Sequence, residues 1–398
     1  MEVGVVGKPN VGKSTLFNAL TLLDAPMAPY PFTTTVPNRG VGAIRAPCPH
    51  VEKQVACTPG NAKCVNGVRW IPVNLIDVPG LVPGAHAGKG LGHQFLDDLR
   101  AADGFLQVVD LSGATDAEGQ AVPAGSHDPA AEVAWLEEEL VAWVAEILSR
   151  DFARHARSTE LDGKKVEEFL AARLTGLSIS PSAISAALRT VPVDRQHPAR
   201  WTEAERVALA RELLRIAKPR LVAANKCDRS TPEAAAALSA ALDPTPTVPT
   251  SAEAELTLRR AARAGLVDYA PGDPSFRVAD PERLSVGQRK ALDDIRSIVA
   301  HWGSTGVQAA LEKMVYERLH QVVVYPVEDE THWTDGRGRV LPDALLVPAG
   351  TPASEVAFRV HTDLGRNFIR AIDGRTHRAL AADHPVEPNA VIRIVARK

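Results

Sequence analysis

The sequence predicts an α/β fold: a parallel sheet with helices on both faces, interrupted by a helical insertion and followed by a small strand-rich domain. Three observations carry this. A β-branched run at 3–6 enters a glycine-rich loop and then a stretch that is apolar at Leu16, Phe17, Leu20 and Leu23, the strand–loop–helix order of a phosphate-binding unit. Gly80 and Asn225 stand at the ends of two such strand units, yet Asn225 lies 145 positions beyond Gly80, far more than one crossover needs. In the last eighty residues, short strand-like runs ("QVVVYPV", "FIRAI", "NAVIRIVA") alternate with one helix-like piece, "TPASEVAFRV".

The chain of 398 residues is 45% hydrophobic and 23% charged, enough for two or three buried cores. A net charge of −3 gives no global attraction to nucleic acid, so any such contact must rest on a local patch. No apolar run reaches the roughly 18 residues that cross a bilayer. With no leader-like segment ahead of residue 3, a cytoplasmic, soluble chain without a membrane partner is expected, working as a monomer.

The loop "GKPNVGKST" meets the pattern G-x-x-x-x-G-K-[ST] at Gly7, Gly12, Lys13 and Ser14. Gly7, Lys8, Pro9, Asn10, Val11, Gly12, Lys13, Ser14 and Thr15 are therefore expected to cradle phosphates. Lys13 reaches the β- and γ-phosphates, and the Ser14 hydroxyl ligates Mg²⁺. "NLIDVPG" is a strand that delivers Asp77 to a carboxyl end, where the carboxylate holds Mg²⁺ through water; Gly80 offers its N–H to the γ-phosphate. "RLVAANKCDRS" delivers Asn225, Lys226 and Asp228. A carboxylate at Asp228 accepts from guanine N1–H and the 2-amino group. Adenine offers neither donor and would leave it unpaired, at a cost of about 1–3 kcal/mol. "TVPTSAE" ends at Ser251 and Ala252, whose backbone amides suit guanine O6. One hydroxyl among Thr33, Thr34 and Thr35 is expected to complete the Mg²⁺ shell, and spacing does not choose among them.

Within 113–217, Val133, Leu136, Leu140, Trp143, Val144, Ile147 and Leu148 recur at helical spacing and two further amphipathic runs follow, predicting a helical hairpin or small bundle. The preceding "SGATDAEGQAVPAGSHDP" is aperiodic and rich in turn formers, and reads as a surface connection. Cys48, His50, Cys57 and Cys64 are four soft ligands. Their spacing departs from paired C-x₂₋₄-C knuckles, so free thiols are expected rather than Zn²⁺ or a disulfide. Between 359 and 378, Arg359, Arg366, Arg370, Arg375 and Arg378 outnumber two acids, a modestly basic patch suited to RNA.

Taken in order with "YPFTT", "PNRG", "DVPGLVPGAHAGKGLGHQFLDDLRAAD" and "VVD", these motifs resemble the Obg-related GTPases of the translation-factor class. The likeness is to the archaeal type with a helical insertion and a C-terminal TGS domain, and it runs over nearly the whole chain. It implies a P-loop GTPase domain over 1–112 and 218–318, the insertion over 113–217 and a β-grasp, TGS-like domain over 319–398. It further implies binding of GTP and GDP, hydrolysis of GTP, and a switch acting on the ribosome or structured RNA. Thr34 is the family's Mg²⁺-binding threonine. Leu81 stands where Ras-like enzymes orient water with glutamine, which implies slow intrinsic turnover dependent on a partner or on K⁺. Asn10 occupies the position from which similar GTPases hold K⁺, and His86 lies within sequence reach of the γ-phosphate. With Lys13, Thr34 and Gly80 these complete the expected catalytic set. Two alternatives are a GTP/GDP-responsive binding protein with negligible turnover and an ATP-using Obg-like regulator; the second is disfavoured by Asp228.

Overall fold

The computed structural model describes residues 1–21, 39–78 and 100–397. The described chain divides into two compact units: one from within Met1–Leu22, Asn38–Gly40 and Asn74–Ala310, the other from within Val41–Val73 and Leu311–Lys398. The segment 113–217 lies inside the first unit, whereas 41–73 groups with the C-terminal residues.

Strands β1 (Glu2–Val6), β2 (Arg39–Pro47), β3 (Lys63–Val65), β4 (Val68–Asp77), β5 (Gly104–Asp110), β6 (Arg220–Asn225) and β7 (Thr247–Pro249) form one sheet in the order β2-β4-β1-β5-β6-β7, with β3 paired to β4. From β4 through β1, β5 and β6 to β7 the pairs are parallel. Every residue of β5 is buried, as a central strand covered on both faces requires. The expected functional motifs therefore lie at the carboxyl ends of β1, β4 and β6, where an open α/β sheet binds ligands.

Helix α1 (Lys13–Thr21) follows the loop after β1. Helices α2 (Pro129–Ser149), α3 (Phe152–Leu161), α4 (Val166–Leu174), α5 (Pro181–Thr190) and α6 (Glu203–Ala217) form a bundle rather than a two-helix hairpin. Asp128 caps α2 by accepting from the Ala130 N–H, and Pro129 occupies its first turn. Leu136, Leu140, Val144 and Leu148 of α2 share one apolar cluster with Leu170, Ile184 and Leu209 of the other helices and with Val6, Ile76 and Phe105 of the sheet. The stripe read from the sequence thus packs internally, against the bundle and one sheet face.

In the second unit, β8 (Gln321–Val327), β9 (Leu345–Pro348), β10 (Phe368–Asp373), β11 (Ala379–Leu380) and β12 (Ala390–Ala396) have the order β9-β8-β12-β10-β11, with β8 and β12 parallel at the centre. This is the β-grasp arrangement. The helix Ala353–Val360 buries Ala353 and Val356 against Val324, Val347 and Ile392. No helix among the described residues is long and apolar enough to cross a membrane.

Candidate functional site

The loop after β1 turns through backbone conformations that explain its glycines. Gly7 has φ +149° and Gly12 φ +98°. A Cβ at Gly7 would sit 2.4 Å from the Val108 carbonyl oxygen, and one at Gly12 would sit 2.3 Å from Asn225 Nδ2. The loop then enters α1, whose first-turn amides have no intrahelical partner and so face an anion well.

Lys13 is buried and its ammonium donates to the Lys8 carbonyl, 2.9 Å away. Burial pulls its pKa below the usual lysine value, with Asp77 opposing that shift. The Ser14 hydroxyl donates to Asp77 Oδ2 at 3.1 Å, so α1 and β4 bring the two expected Mg²⁺ residues together. Asp77 Oδ1 is buried without a hydrogen-bond partner, and burial raises the Asp77 pKa against the pull of Ser14 and Lys13. A hydroxyl beside a carboxylate with an unsatisfied oxygen is a hard-oxygen donor set that fits a hydrated Mg²⁺.

Asn225, at the end of β6, ties two loops together. Its Nδ2 donates to the Val11 carbonyl at 2.8 Å, and its Oδ1 accepts from the Ala252 N–H at 3.0 Å. Lys226 takes a left-handed backbone, φ +63°, and its ammonium donates to Asp110 Oδ2 at 2.8 Å and to Thr115 Oγ1 at 3.1 Å. The Ser251 hydroxyl donates to Asp228 Oδ1 at 2.7 Å, fixing the carboxylate expected to read the base. The Ser251 and Ala252 amides, expected at guanine O6, are already donated within the protein, Ser251 to Thr305 O at 2.9 Å and Ala252 to Asn225. The hydroxyl of Ser251, rather than its amide, is what this loop contributes to the arrangement of Asp228.

Several partners escaped sequence reasoning. Asp110 closes β5 fully buried and accepts from the Ser112 N–H and hydroxyl, from Thr115 and from Lys226. Burial alone would raise its carboxyl, but these bonds outweigh it and hold the pKa below the ordinary value. Lys8 forms a buried ion pair with Glu132 of α2 and donates to the Thr115 carbonyl at 2.5 Å. Burial lifts the Glu132 pKa to about 7 against the pull of Lys8. The Asn10 amide donates to the Gly119 carbonyl at 2.7 Å, and a Cβ at Gly119 would meet Pro9 at 2.7 Å. The connection read as a surface excursion is therefore packed along the phosphate loop. Only Asp110, in the quoted "VVD", carried any signal; Thr115 and Glu132 sit in segments whose patterns point elsewhere.

Thr33, Thr34, Thr35, Gly80, Leu81 and His86 lie outside the described residues. Of the basic patch, Arg375 is committed: its guanidinium forms a two-bond ion pair with Glu52 at 2.7 and 2.8 Å and donates to the Asn389 carbonyl. Arg359 approaches Glu355 one turn away at 3.4 Å. Arg366, Arg370 and Arg378 are exposed and have no carboxylate partner among the described residues.

Residues 2–140 match the family described as 50S ribosome-binding GTPase, and 223–329 match the G4 motif-containing domain of the Obg-like, YGR210-like GTPases. An uncharacterized GTP-binding protein of Methanocaldococcus jannaschii is 44% identical over 395 residues, covering 99% of this chain and 98% of the relative. The chain belongs to the Obg-like GTPase family. A second family member, an uncharacterized GTP-binding protein of Schizosaccharomyces pombe, is 36% identical over 89% of this chain and 88% of its own length. The crystal structure of a GTP-binding protein from Pyrococcus horikoshii superposes with a TM-score of 0.81 at 35% identity, each chain fully covered. Family membership thus extends across the insertion and the C-terminal β-grasp sheet.

Proposed function

We propose that this protein binds GTP with Mg²⁺, hydrolyses it slowly to GDP and phosphate, and uses the nucleotide to switch its hold on the ribosome or a structured RNA. The observation that carries the reading is the Asn225 bridge. One side chain joins Val11 of the phosphate loop to Ala252 beside the base-reading turn, so phosphate and base are read by one connected site.

In the reaction, water attacks the γ-phosphorus and the bond from that phosphorus to the β–γ bridging oxygen breaks, leaving GDP and inorganic phosphate. The Lys13 ammonium exchanges the Lys8 carbonyl for phosphate oxygens and stabilises charge developing on them. Ser14 and Thr34 would ligate Mg²⁺ and Asp77 would hold it through water; the ion would supply charge neutralisation to the phosphates. Asp228, steadied by Ser251, accepts from guanine N1–H and the 2-amino group, which favours GTP over ATP. Leu81 has no group that orients water, so assistance comes from elsewhere. K⁺ beside the Asn10 oxygen, His86, or a partner are the sources this reading allows. The same leucine favours the second reading, a GTP/GDP-responsive binding protein with negligible turnover.

Support for a ribosomal or RNA partner comes from the description of the family matched over 2–140 and from Arg366, Arg370 and Arg378, exposed on a β-grasp unit of the TGS kind.

Calorimetry with GDP, GTP, ATP and their xanthine counterparts tests the binding. Asp228→Asn should lose affinity for GDP and gain it for XDP, and an unchanged base preference would remove Asp228 from the reading. Turnover measured with and without ribosomes, in KCl and in NaCl, tests the rest. A rate that no partner or cation raises leaves the binding-protein reading standing.

A further inference from the structure

The second unit contains a group of side chains that the nucleotide chemistry does not use. Cys48 follows β2, His50 begins the single helical turn His50–Lys53, Cys57 lies in the loop beyond it, and Cys64 sits in β3. Although six residues separate His50 from Cys57 and six more separate Cys57 from Cys64, their ligand atoms converge. One donor atom from each, a sulfur or an imidazole nitrogen, lies within 4.8 Å of every other. Cys48 Sγ is 4.0 Å from Cys57 Sγ, and Cys64 Sγ is 3.6 Å from His50 Nδ1. A tetrahedral zinc ion with Zn–S bonds of about 2.3 Å and Zn–N bonds of about 2.0–2.1 Å has edges of about 3.8 Å between sulfurs and about 3.6 Å between sulfur and nitrogen. The donors therefore already stand near the corners of that tetrahedron. Donors whose spacing departs from paired knuckles along the chain are thus brought together by the fold.

The loop geometry brings the donors in. Asn66 and Gly67, with φ +50° and +80°, make the tight left-handed turn that joins β3 to β4 and sets Cys64 opposite Arg69. The Cys48 N–H donates to the Gly67 carbonyl at 2.8 Å, bringing the end of β2 to the same turn. On the far side, the Thr58 and Gly60 amides donate to the carbonyls of Val340 and Pro342 at 2.9 and 2.6 Å, which holds the Cys57 loop in place.

Arg69 is fully buried, yet no carboxylate among the described residues lies within ion-pair distance of it. Its guanidinium donates to the Leu341 carbonyl at 2.7 Å and stands over the Tyr325 ring, 5.6 Å from the centroid, while its Nε has no partner. A buried guanidinium without a counter-charge is costly. Zinc bound by three thiolates and one neutral imidazole carries a net charge of −1. Arg69, directly across the strand pair from Cys64, is placed to balance it.

We propose that Cys48, His50, Cys57 and Cys64 bind one structural Zn²⁺ ion, with Arg69 as its buried counter-charge. All four positions of the tetrahedron are filled by protein, so the ion closes the 48–64 loop and offers no vacancy for catalysis.

Elemental analysis of untagged full-length protein, purified without chelator or added metal, is the first test. One zinc per chain is expected, released when the protein unfolds in the presence of a metal-binding dye. Exchange for Co²⁺ should give thiolate-to-cobalt charge-transfer bands and tetrahedral d–d bands. Cys64→Ser should abolish stoichiometric metal and lower the melting temperature. Should that variant fail to fold, His50→Cys keeps the question open to measurement, because a four-thiolate site should retain the ion and alter the cobalt spectrum. Metal-free wild-type protein whose Cys48, Cys57 and Cys64 alkylate freely would overturn the proposal. So would metal-free protein in which two of them resist alkylation until reduced, and so would a His50→Cys cobalt spectrum identical to the wild type.

Discussion

Asn225 and Gly12 show how little slack the nucleotide loop has. The Asn225 carboxamide meets the Val11 carbonyl and the Ala252 amide, and the missing Cβ of Gly12 leaves the space that its Nδ2 fills. Asn225→Ala strands both backbone groups in a buried setting, each costing about 1–3 kcal/mol. Urea unfolding should report that loss, and GDP affinity should fall at least tenfold. An affinity unchanged from wild type would mean that the two loops are held by other contacts. Gly12→Ala should weaken GDP binding by the same route, since its methyl displaces the Asn225 amide. Gly7 and Gly12 were legible because a phosphate cradle is a local structure: strand, loop and helix are contiguous, and the glycines are dictated by backbone angles within six positions. Asp228 was legible for a different reason, the hydrogen-bonding pattern of guanine. Its brace, the Ser251 hydroxyl, was not assigned that role, because bringing β6 and β7 side by side is what makes the two meet.

Among the elements, the connection between β5 and α2 departs furthest from its sequence reading. Turn-forming composition says how a segment bends and nothing about what it lies against. Here Thr115, Gly119 and Glu132 engage Lys8, Pro9 and Asn10, so the entry to the insertion forms one wall of the phosphate loop. Glu132 makes this wall sensitive to pH. With its pKa held at about 7, against 4.5 for an ordinary glutamate, the folded protein retains a proton that the unfolded chain releases. The unfolding free energy contributed by this group should therefore fall as pH rises from about 4.5 to about 7, and flatten above that. Denaturation midpoints measured across that range, compared with those of Glu132→Gln, isolate the effect; identical slopes in the two proteins would rule it out. The bundle's apolar stripe, by contrast, was readable in advance, since Leu136, Leu140, Val144 and Leu148 return to one face every three or four residues whatever they pack against.

For the whole molecule, the division of the chain is what periodicity alone does not show. Residues 41–73 and the C-terminal segment form one compact unit although most of the sequence lies between them. Arg45 pairs through two bonds with Glu312, at 2.7 and 3.0 Å, the Asn61 side chain both donates to and accepts from Ala344, and the Tyr325 hydroxyl donates to the Pro47 carbonyl. Each half reads locally as a hairpin or a β-grasp sheet, and nothing in the pattern of either names the other. A fragment of residues 319–398 alone would expose the Tyr325 and Trp333 surfaces that the hairpin and its loops cover. It should show weak near-ultraviolet circular dichroism and poor amide dispersion relative to the same residues in the full chain. A cooperative, well-dispersed fragment would show that the sheet folds unaided. The same division has a temporal side. During synthesis the hairpin leaves the exit tunnel roughly 240 residues before its counterpart, an interval on the order of 10–50 s at ~5–20 residues per second. Throughout that wait a nascent chain presents three thiols, an imidazole and an unpaired guanidinium on an unfinished surface, so its maturation is set by the arrival of its own tail.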